Sequence, residues 1–229
     1  MSKSILVTGA SKGIGLAIAQ EFYQEGFEVI ICARGEESLK AAKSQMPGLH
    51  TYVCDLSNKE AVKTLGNRIV ERFGALDILV NNGGVFMPGL IHQEEDHIYE
   101  TQMRTNIDSA YYLSKIVLPP MIKQESGTVF NMCSVASLQA YPNGGSYCIS
   151  KFALLGFSKM LRQELKPYNI RVVSILPGAV KTASWEGTTL PEERFIPAED
   201  IGKLVWNTYQ LSERTVVEDI VIRPALGDI

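Results

Sequence analysis

Tyr147 and Lys151 stand four residues apart in Ser146-Tyr147-Cys148-Ile149-Ser150-Lys151, so on a helix they share one face. A phenol ionises near pH ~10 and exchanges protons poorly around neutrality. A nearby ammonium, best placed close to a helix N-terminus, stabilises the phenolate and lowers that value. The spacing is common by chance. Taken alone it describes a half-buried tyrosine beside a solvated lysine. Ser134 changes the reading. It lies thirteen residues before Tyr147, just after an apolar run, so its hydroxyl can sit at the carboxyl edge of a sheet. That edge is where ligands bind in doubly wound folds.

A second constellation follows the first apolar run: Thr8-Gly9-Ala10-Ser11-Lys12-Gly13-Ile14-Gly15-Leu16. Gly9 permits a tight turn, Gly13 lets the backbone approach a diphosphate, and Gly15 allows close helix–strand packing. The helix that begins here offers free N–H groups and a positive dipole end to an anion. The spacing is G-x-x-x-G-x-G rather than the commoner G-x-G-x-x-G. A glycine cluster alone is also a tight turn of any α/β protein.

These residues need elements to position them. Short apolar runs occur at Ile5–Val7, Val29–Ile31, Tyr52–Val53, Ile78–Val80, Val129–Met132, Val172–Leu176 and Ile220–Ile222. Runs apolar throughout suit strands buried on both faces. Helical spacing fills the gaps: Ile14, Ala17, Ile18 and Phe22; a charged stretch from about Glu36; Val62, Leu65, Ile69 and Phe73; a long stretch around Met103 to Lys123; and Phe152, Leu155 and Met160 after Tyr147. Strand–helix alternation predicts an α/β fold of the Rossmann type. Its doubly wound sheet has about seven parallel strands, with helices on both faces. The chain reads as one domain over residues 1–229, with a dinucleotide-binding half to about 125 and a catalytic and substrate half from about 126. The irregular stretch Lys181 to Pro197 reads as a lid.

The composition removes several alternatives. Lys and Arg number 22 against 25 Asp and Glu, a formal charge of −3, with no basic block; nucleic acid is not an expected partner. The four cysteines (Cys32, Cys54, Cys133, Cys148) form no C-x-x-C pair and read as reduced core thiols of a cytoplasmic protein. The three histidines show no metal-ligand spacing, so no metal is expected. No apolar 20-mer and no signal-peptide core is present, so no membrane contact is expected.

With these residues in order, the chain resembles the short-chain dehydrogenase/reductase family over nearly its whole length. Thr8–Gly15 resembles T-G-x-x-x-G-I-G. Asp55-Leu56 resembles the D-L pair whose acid contacts the adenine ring. Asn81-Asn82-Gly83-Gly84 resembles N-N-A-G, with Gly83 in the alanine place. Asn106, Ser134, Tyr147 and Lys151 match the catalytic asparagine, serine, tyrosine and lysine. Pro177-Gly178-Ala179-Val180-Lys181-Thr182 resembles P-G-x-V-x-T, whose backbone and threonine hold the nicotinamide carboxamide.

The resemblance implies carbonyl reduction or alcohol oxidation with a nicotinamide cofactor. Ser134 and Tyr147 would hydrogen-bond the carbonyl oxygen and Tyr147 would donate the proton. Lys151 would hold the ribose and depress the Tyr147 pKa, and Asn106 would anchor a relay water. It also implies cofactor contacts from Gly9, Ser11, Lys12, Gly13, Ile14, Gly15, Arg34, Asp55, Leu56, Asn82, Gly83, Tyr147, Lys151, Pro177, Gly178, Val180 and Thr182. A small carbonyl or alcohol would be the substrate. The C-terminus lacks the G-x-x-x-x-V-D-G-G ending typical of 3-oxoacyl-carrier-protein reductases. It looks more like short-ended members acting on 3-hydroxy acids and other small carbonyls. A 3-oxoacyl-carrier-protein reductase and a non-catalytic NADP(H)-binding regulator are the alternatives; the regulator should have lost part of the filled Asn–Ser–Tyr–Lys set. Phe86, Tyr141, Trp185 and Phe195 are candidate pocket residues.

Two further expectations rest on side chains. The second strand ends Ile31-Cys32-Ala33-Arg34, without the acid that would bind the adenosine ribose 2′-OH. Arg34 and Lys12 could grip a 2′-phosphate, so NADP(H) is expected over NAD(H), with Glu36 and Glu37 as possible neutralisers of Arg34. Ile107, Tyr111, Tyr112, Ile116 and Val117 on one helix, and Phe152, Leu154, Leu155 and Phe157 on another, exceed one core face. A homodimer or homotetramer is expected.

Overall fold

A computed structural model describes residues 2–229. Seven strands form one parallel sheet: β1 (Ser4–Thr8), β2 (Glu28–Ala33), β3 (His50–Val53), β4 (Ile78–Asn81), β5 (Gly127–Met132), β6 (Ile170–Pro177) and β7 (Asp219–Ile222). Their order is β3-β2-β1-β4-β5-β6-β7. The order reverses between β1 and β4, and that switch point opens a crevice at the carboxyl ends of the strands.

Strand alternation divides the core between two faces. Ile5, Val7, Ile31, Ile78, Val80, Phe130 and Val173 face α1 (Gly13–Gln24), α2 (Glu36–Gln45) and α7 (Ala198–Tyr209). Leu6, Ile30, Leu79, Val129 and Val172 face α3 (Lys59–Phe73), α5 (Ser109–Gln124) and α6 (Gly145–Leu165). This two-sided burial explains why the strands read as unbroken apolar runs. The four cysteines are buried and free. Among the described residues no helix is long and apolar enough to cross a membrane.

Three elements depart from the sequence reading. The long stretch around Met103 is two helices, α4 (Asp96–Met103) and α5, joined through a π-helical turn at Arg104–Asp108. The helix after Ser134 starts at Gly145, so Tyr147 lies in its first turn. α7 was not anticipated. Its Ile201 and Val205 are buried, and Gly202 packs so tightly that a Cβ there would lie 2.8 Å from the Ala17 carbonyl oxygen. The i, i+4 apolar pair after Pro197 is the signal that marks it.

One buried feature has no counterpart in the apolar pattern. Asn81, Asn131, Ser174 and Asp219 lie in register across β4 to β7. Asn81 Nδ2 donates to Asn131 Oδ1 at 2.9 Å, Asn131 Nδ2 donates to Ser158 Oγ at 3.1 Å, and Ser158 pairs with Ser174 at 2.8 Å. Arg162 closes the row on Asp219 at 3.2 Å. A polar chain through the core pins strand register, because a one-residue slip would strand every member.

Candidate active site

The glycine turn is built as its sequence requires. Gly9 and Gly13 take φ of +62° and +59°, a region that favours glycine. A Cβ at Gly9 would lie 2.7 Å from Gly83 Cα, so the turn and the end of β4 touch backbone to backbone. Asn82 locks that contact: its Nδ2 donates to the Thr8 and Gly9 carbonyls at 2.8 and 3.1 Å. Thr8 Oγ1 in turn accepts from the Asn82 and Gly83 N–H groups, both at 3.0 Å. Gly83, which replaces the expected alanine, has a reason in packing. A Cβ there would collide with Leu56 Cδ1. α1 begins without a capping side chain and without an acid in its first turn, so its N–H groups remain for an anion.

A cleft of about 680 Å³ runs from this turn across the sheet edge. Of the expected cofactor contacts, Gly9, Lys12, Gly13, Ile14, Gly15, Asn82, Tyr147, Lys151, Pro177, Gly178, Val180 and Thr182 line it. Thr182 comes over from the β6 end to Gly13, its Cγ2 3.2 Å from where a Cβ of Gly13 would sit. Ser11, Arg34, Asp55, Leu56 and Gly83 are not on this wall. Leu56 fills the space behind Gly83, and the Asp55 carboxylate holds its own turn by accepting from the Ser57 N–H and hydroxyl at 2.9 and 2.8 Å. Arg34 and Lys12 are both exposed. Glu36 and Glu37 pair with Lys40, not with Arg34.

Ser134, Tyr147 and Lys151 all line the cleft, with Ser134 hydrogen-bonded to the Tyr147 phenol. Ser134 caps the short turn Val135–Ser137, accepting from the Ala136 N–H at 3.1 Å. Lys151 is buried and donates from Nζ to the Met132 carbonyl at 2.8 Å. Burial pulls its pKa down to about 8. Burial also pushes the Tyr147 phenol above its ordinary value, and the hydrogen bond from the Ser134 side chain only partly opposes that. This corrects the expectation that Lys151 depresses Tyr147. The ammonium lies 5.8 Å from the ring centroid and is aimed at Met132, so desolvation dominates.

Asn106 sits in the π-helical turn, buried. Its Nδ2 donates to the Val85 carbonyl and to Ser150 Oγ at 3.0 and 2.9 Å, and its Oδ1 accepts from the Val85 N–H at 2.8 Å. A Cβ on Gly84 would lie 3.2 Å from Asn106 Oδ1 and 3.5 Å from Lys151 Nζ, so both polar groups face one small space.

The remaining wall is apolar and aromatic. Phe86, Tyr141 and Trp185 line it as expected. Phe195 does not. It is buried behind Trp185 at 5.0 Å, with Lys181 Nζ 4.8 Å over its ring. The stretch after Thr182 is pinned at both ends, Lys181 N–H to the Ile196 carbonyl and Ile196 N–H to the Ala179 carbonyl. Arg223, Asp228 and Ile229 complete the wall. The segment after β7 turns back over Gly178 and is held by an Arg223–Asp228 ion pair. Nothing in the sequence marks that return.

With the geometry assembled, comparison with known proteins decides the family. Residues 3–193 match the family model for short chain dehydrogenase. The chain belongs to that family. Among curated relatives of this short-chain dehydrogenase is a sepiapterin reductase of Chlorobaculum tepidum, 34% identical, with all of this chain and 99% of that protein covered. A 3-oxoacyl-acyl-carrier-protein reductase of Haemophilus influenzae is 35% identical over 89% of this chain and 88% of its own length. Among solved structures, a metagenomic short-chain oxidoreductase in complex with NADP superposes with a TM-score of 0.85 at 27% identity, covering 97% of both chains. This short-chain dehydrogenase is thus a family oxidoreductase.

Proposed function

We propose that this short-chain dehydrogenase uses NADP(H) to interconvert a carbonyl and a secondary alcohol, with Tyr147 as the acid and base. The observation that carries the reading is the meeting of Ser134, Tyr147 and Lys151 in one cleft with an uncapped helix N-terminus and its glycine turn. The glycine turn and α1 hold the diphosphate, Lys151 the nicotinamide ribose, and Pro177–Thr182 the carboxamide. When bound, the reduced dinucleotide supplies the hydride.

Ser134 and Tyr147 hydrogen-bond the carbonyl oxygen and stabilise the charge that develops there. A phenol held above its ordinary pKa stays protonated at neutral pH, the form that donates the proton to the new alkoxide. Asn106 Oδ1 and Lys151 Nζ share the space beside Gly84 and hold the water that returns the proton. Arg34, without a carboxylate partner among the described residues, and Lys12 favour the 2′-phosphate. The NADP complex of the metagenomic relative supports that choice.

The substrate is a small carbonyl compound held against Phe86, Tyr141 and Trp185. A 3-oxoacyl thioester is the second reading, supported by likeness to the Haemophilus reductase. NADPH oxidation against diketones, 3-oxoacyl thioesters, pterins, keto sugars and steroids tests both. No turnover across that panel, with NADPH bound, overturns catalysis in favour of a binding protein. The enzyme works in the cytoplasm as a dimer or tetramer. Of the expected apolar helix residues, Val117, Leu154 and Leu155 are buried inside the chain and Ile107, Tyr112, Ile116 and Phe157 are half-buried; Tyr111 and Phe152 are exposed, as are Ile149 and Met160. A monomeric mass by light scattering at micromolar concentration would refute that assembly.

A further inference from the structure

Between Val85 and Gly89 the chain crosses the cleft wall without a neighbouring strand. Two side-chain carboxamides take the neighbour's place. Asn106 pairs with both backbone groups of Val85, as described above. Gln102, completely buried, does the same to Met87: its Oε1 accepts from the Met87 N–H at 3.1 Å and its Nε2 donates to the Met87 carbonyl at 3.2 Å. Val85 and Met87 thus both turn their backbone N–H and carbonyl groups toward Asn106 and Gln102. Phe86, the residue between, lines the cleft and meets the Tyr147 ring edge-on at 4.9 Å.

Asn106 is accounted for by the tetrad; Gln102 is not. Farther along, the Gly89 N–H donates to the Asn143 carbonyl at 3.0 Å, and Glu94 accepts from the Ser146 N–H at the start of α6. Between these anchors and Val85, Gln102 makes the only side-chain hydrogen bonds to the main chain among the described residues.

We propose that Gln102 is a positioning residue: by holding Met87 as a strand partner would, it seats Phe86 as the wall that orients the Tyr147 ring and the substrate. Leucine would fill the space but would leave the Met87 N–H and carbonyl without that partner. What the amide supplies is a fixed backbone beside the reacting groups, where a shift of about 1 Å can cost 100-fold in rate. The inference rests on the carbonyl-reducing role of Tyr147.

Gln102→Leu should lower kcat/KM for the carbonyl substrate about ten- to a hundredfold, because it frees the Met87 backbone. NADPH affinity, set at the other walls, should stay within about twofold, as expected for a site without shared partners. Unchanged kcat/KM, or an equal loss of NADPH binding, overturns the proposal. Gln102→Glu gives an independent reading. Its ionised form has no donor for the Met87 carbonyl, whereas its protonated form restores one donor and one acceptor. Burial raises a carboxyl pKa, so the ratio of variant to wild-type kcat/KM should climb as pH falls from about 8 to 6. A flat ratio overturns the proposal, also where the leucine variant fails to fold. A third readout needs no turnover. In 3-fluorotyrosine-labelled protein, the resonance assigned to Tyr147 by its loss in Tyr147→Phe should shift in Gln102→Glu at high pH in the same direction as in Phe86→Ala. An unmoved resonance overturns the proposal. A shift in a protein inactive on every carbonyl upholds the positioning and fails only the assigned reaction.

Discussion

Lys151 Nζ donates to the Met132 carbonyl at 2.8 Å, tying the first turns of α6 to the carboxyl end of β5. Burial alone would drive the amine toward its neutral form, and its pKa falls to about 8 from 10.5. Between these values the unfolded chain holds a proton that the folded chain has released. Stability contributed by this group therefore rises with pH from about 8 to 10.5, and is lost as pH falls through 8. Lys151→Met lacks that slope. Denaturant titrations should show the stability of wild type minus variant increasing across the window, by a total on the order of 3 kcal/mol. A constant difference would show that Lys151 is not desolvated.

Tyr147→Phe should keep NADPH binding and lose about 100- to 10,000-fold in kcat, the range for a positioned acid. The ring would still pack on Phe86, 4.9 Å away, and only the hydrogen bond with Ser134 is lost. Single-turnover kinetics with NADPH in excess read the step directly. A variant retaining a tenth of the wild-type rate would remove Tyr147 from its role.

Arg34→Asp should lower the kcat/KM ratio of NADPH to NADH. Glu36 and Glu37 are engaged with Lys40, which leaves the Arg34 guanidinium for a phosphate. A hydrogen bond to a charged group is worth about 1.5–3 kcal/mol, so the ratio should fall by about ten- to a hundredfold. A wild-type ratio near one would show that Arg34 does not read the 2′-phosphate.

Asn131→Ala should destabilise the protein without touching the cleft. It removes one hydrogen bond each from the Asn81 amide and the Ser158 hydroxyl, both buried, which keep Ser114 and Ser174 as partners; each bond lost costs about 0.5–1.5 kcal/mol. Asn81 Oδ1 already lacks a partner among the described residues, so the site carries one unpaired acceptor before the substitution adds to it. Equilibrium unfolding measures the loss; a change under about 0.5 kcal/mol, the level of an ordinary surface substitution, would mean that water replaces the amide.

All seven strands, the glycine turn and the shared face of Tyr147 and Lys151 were legible in the sequence alone. Apolar runs, positive-φ glycines and i, i+4 spacing are short-range properties, encoded within a few residues of where they act. α7 carried such a signal in Ile201 and Val205. Other features are settled by packing between distant segments. Gln102 meets Met87 because the last turn of α4 and a strandless loop happen to run alongside each other. Phe195 goes behind Trp185 because the stretch between Thr182 and Pro197 is pinned at both ends. The segment after β7 closes the cleft because Arg223 finds Asp228. The protonation of Tyr147 belongs to the same class. The sequence placed an ammonium nearby, but the sign of the shift depends on how much water the surrounding elements exclude, and that is a property of the assembled fold.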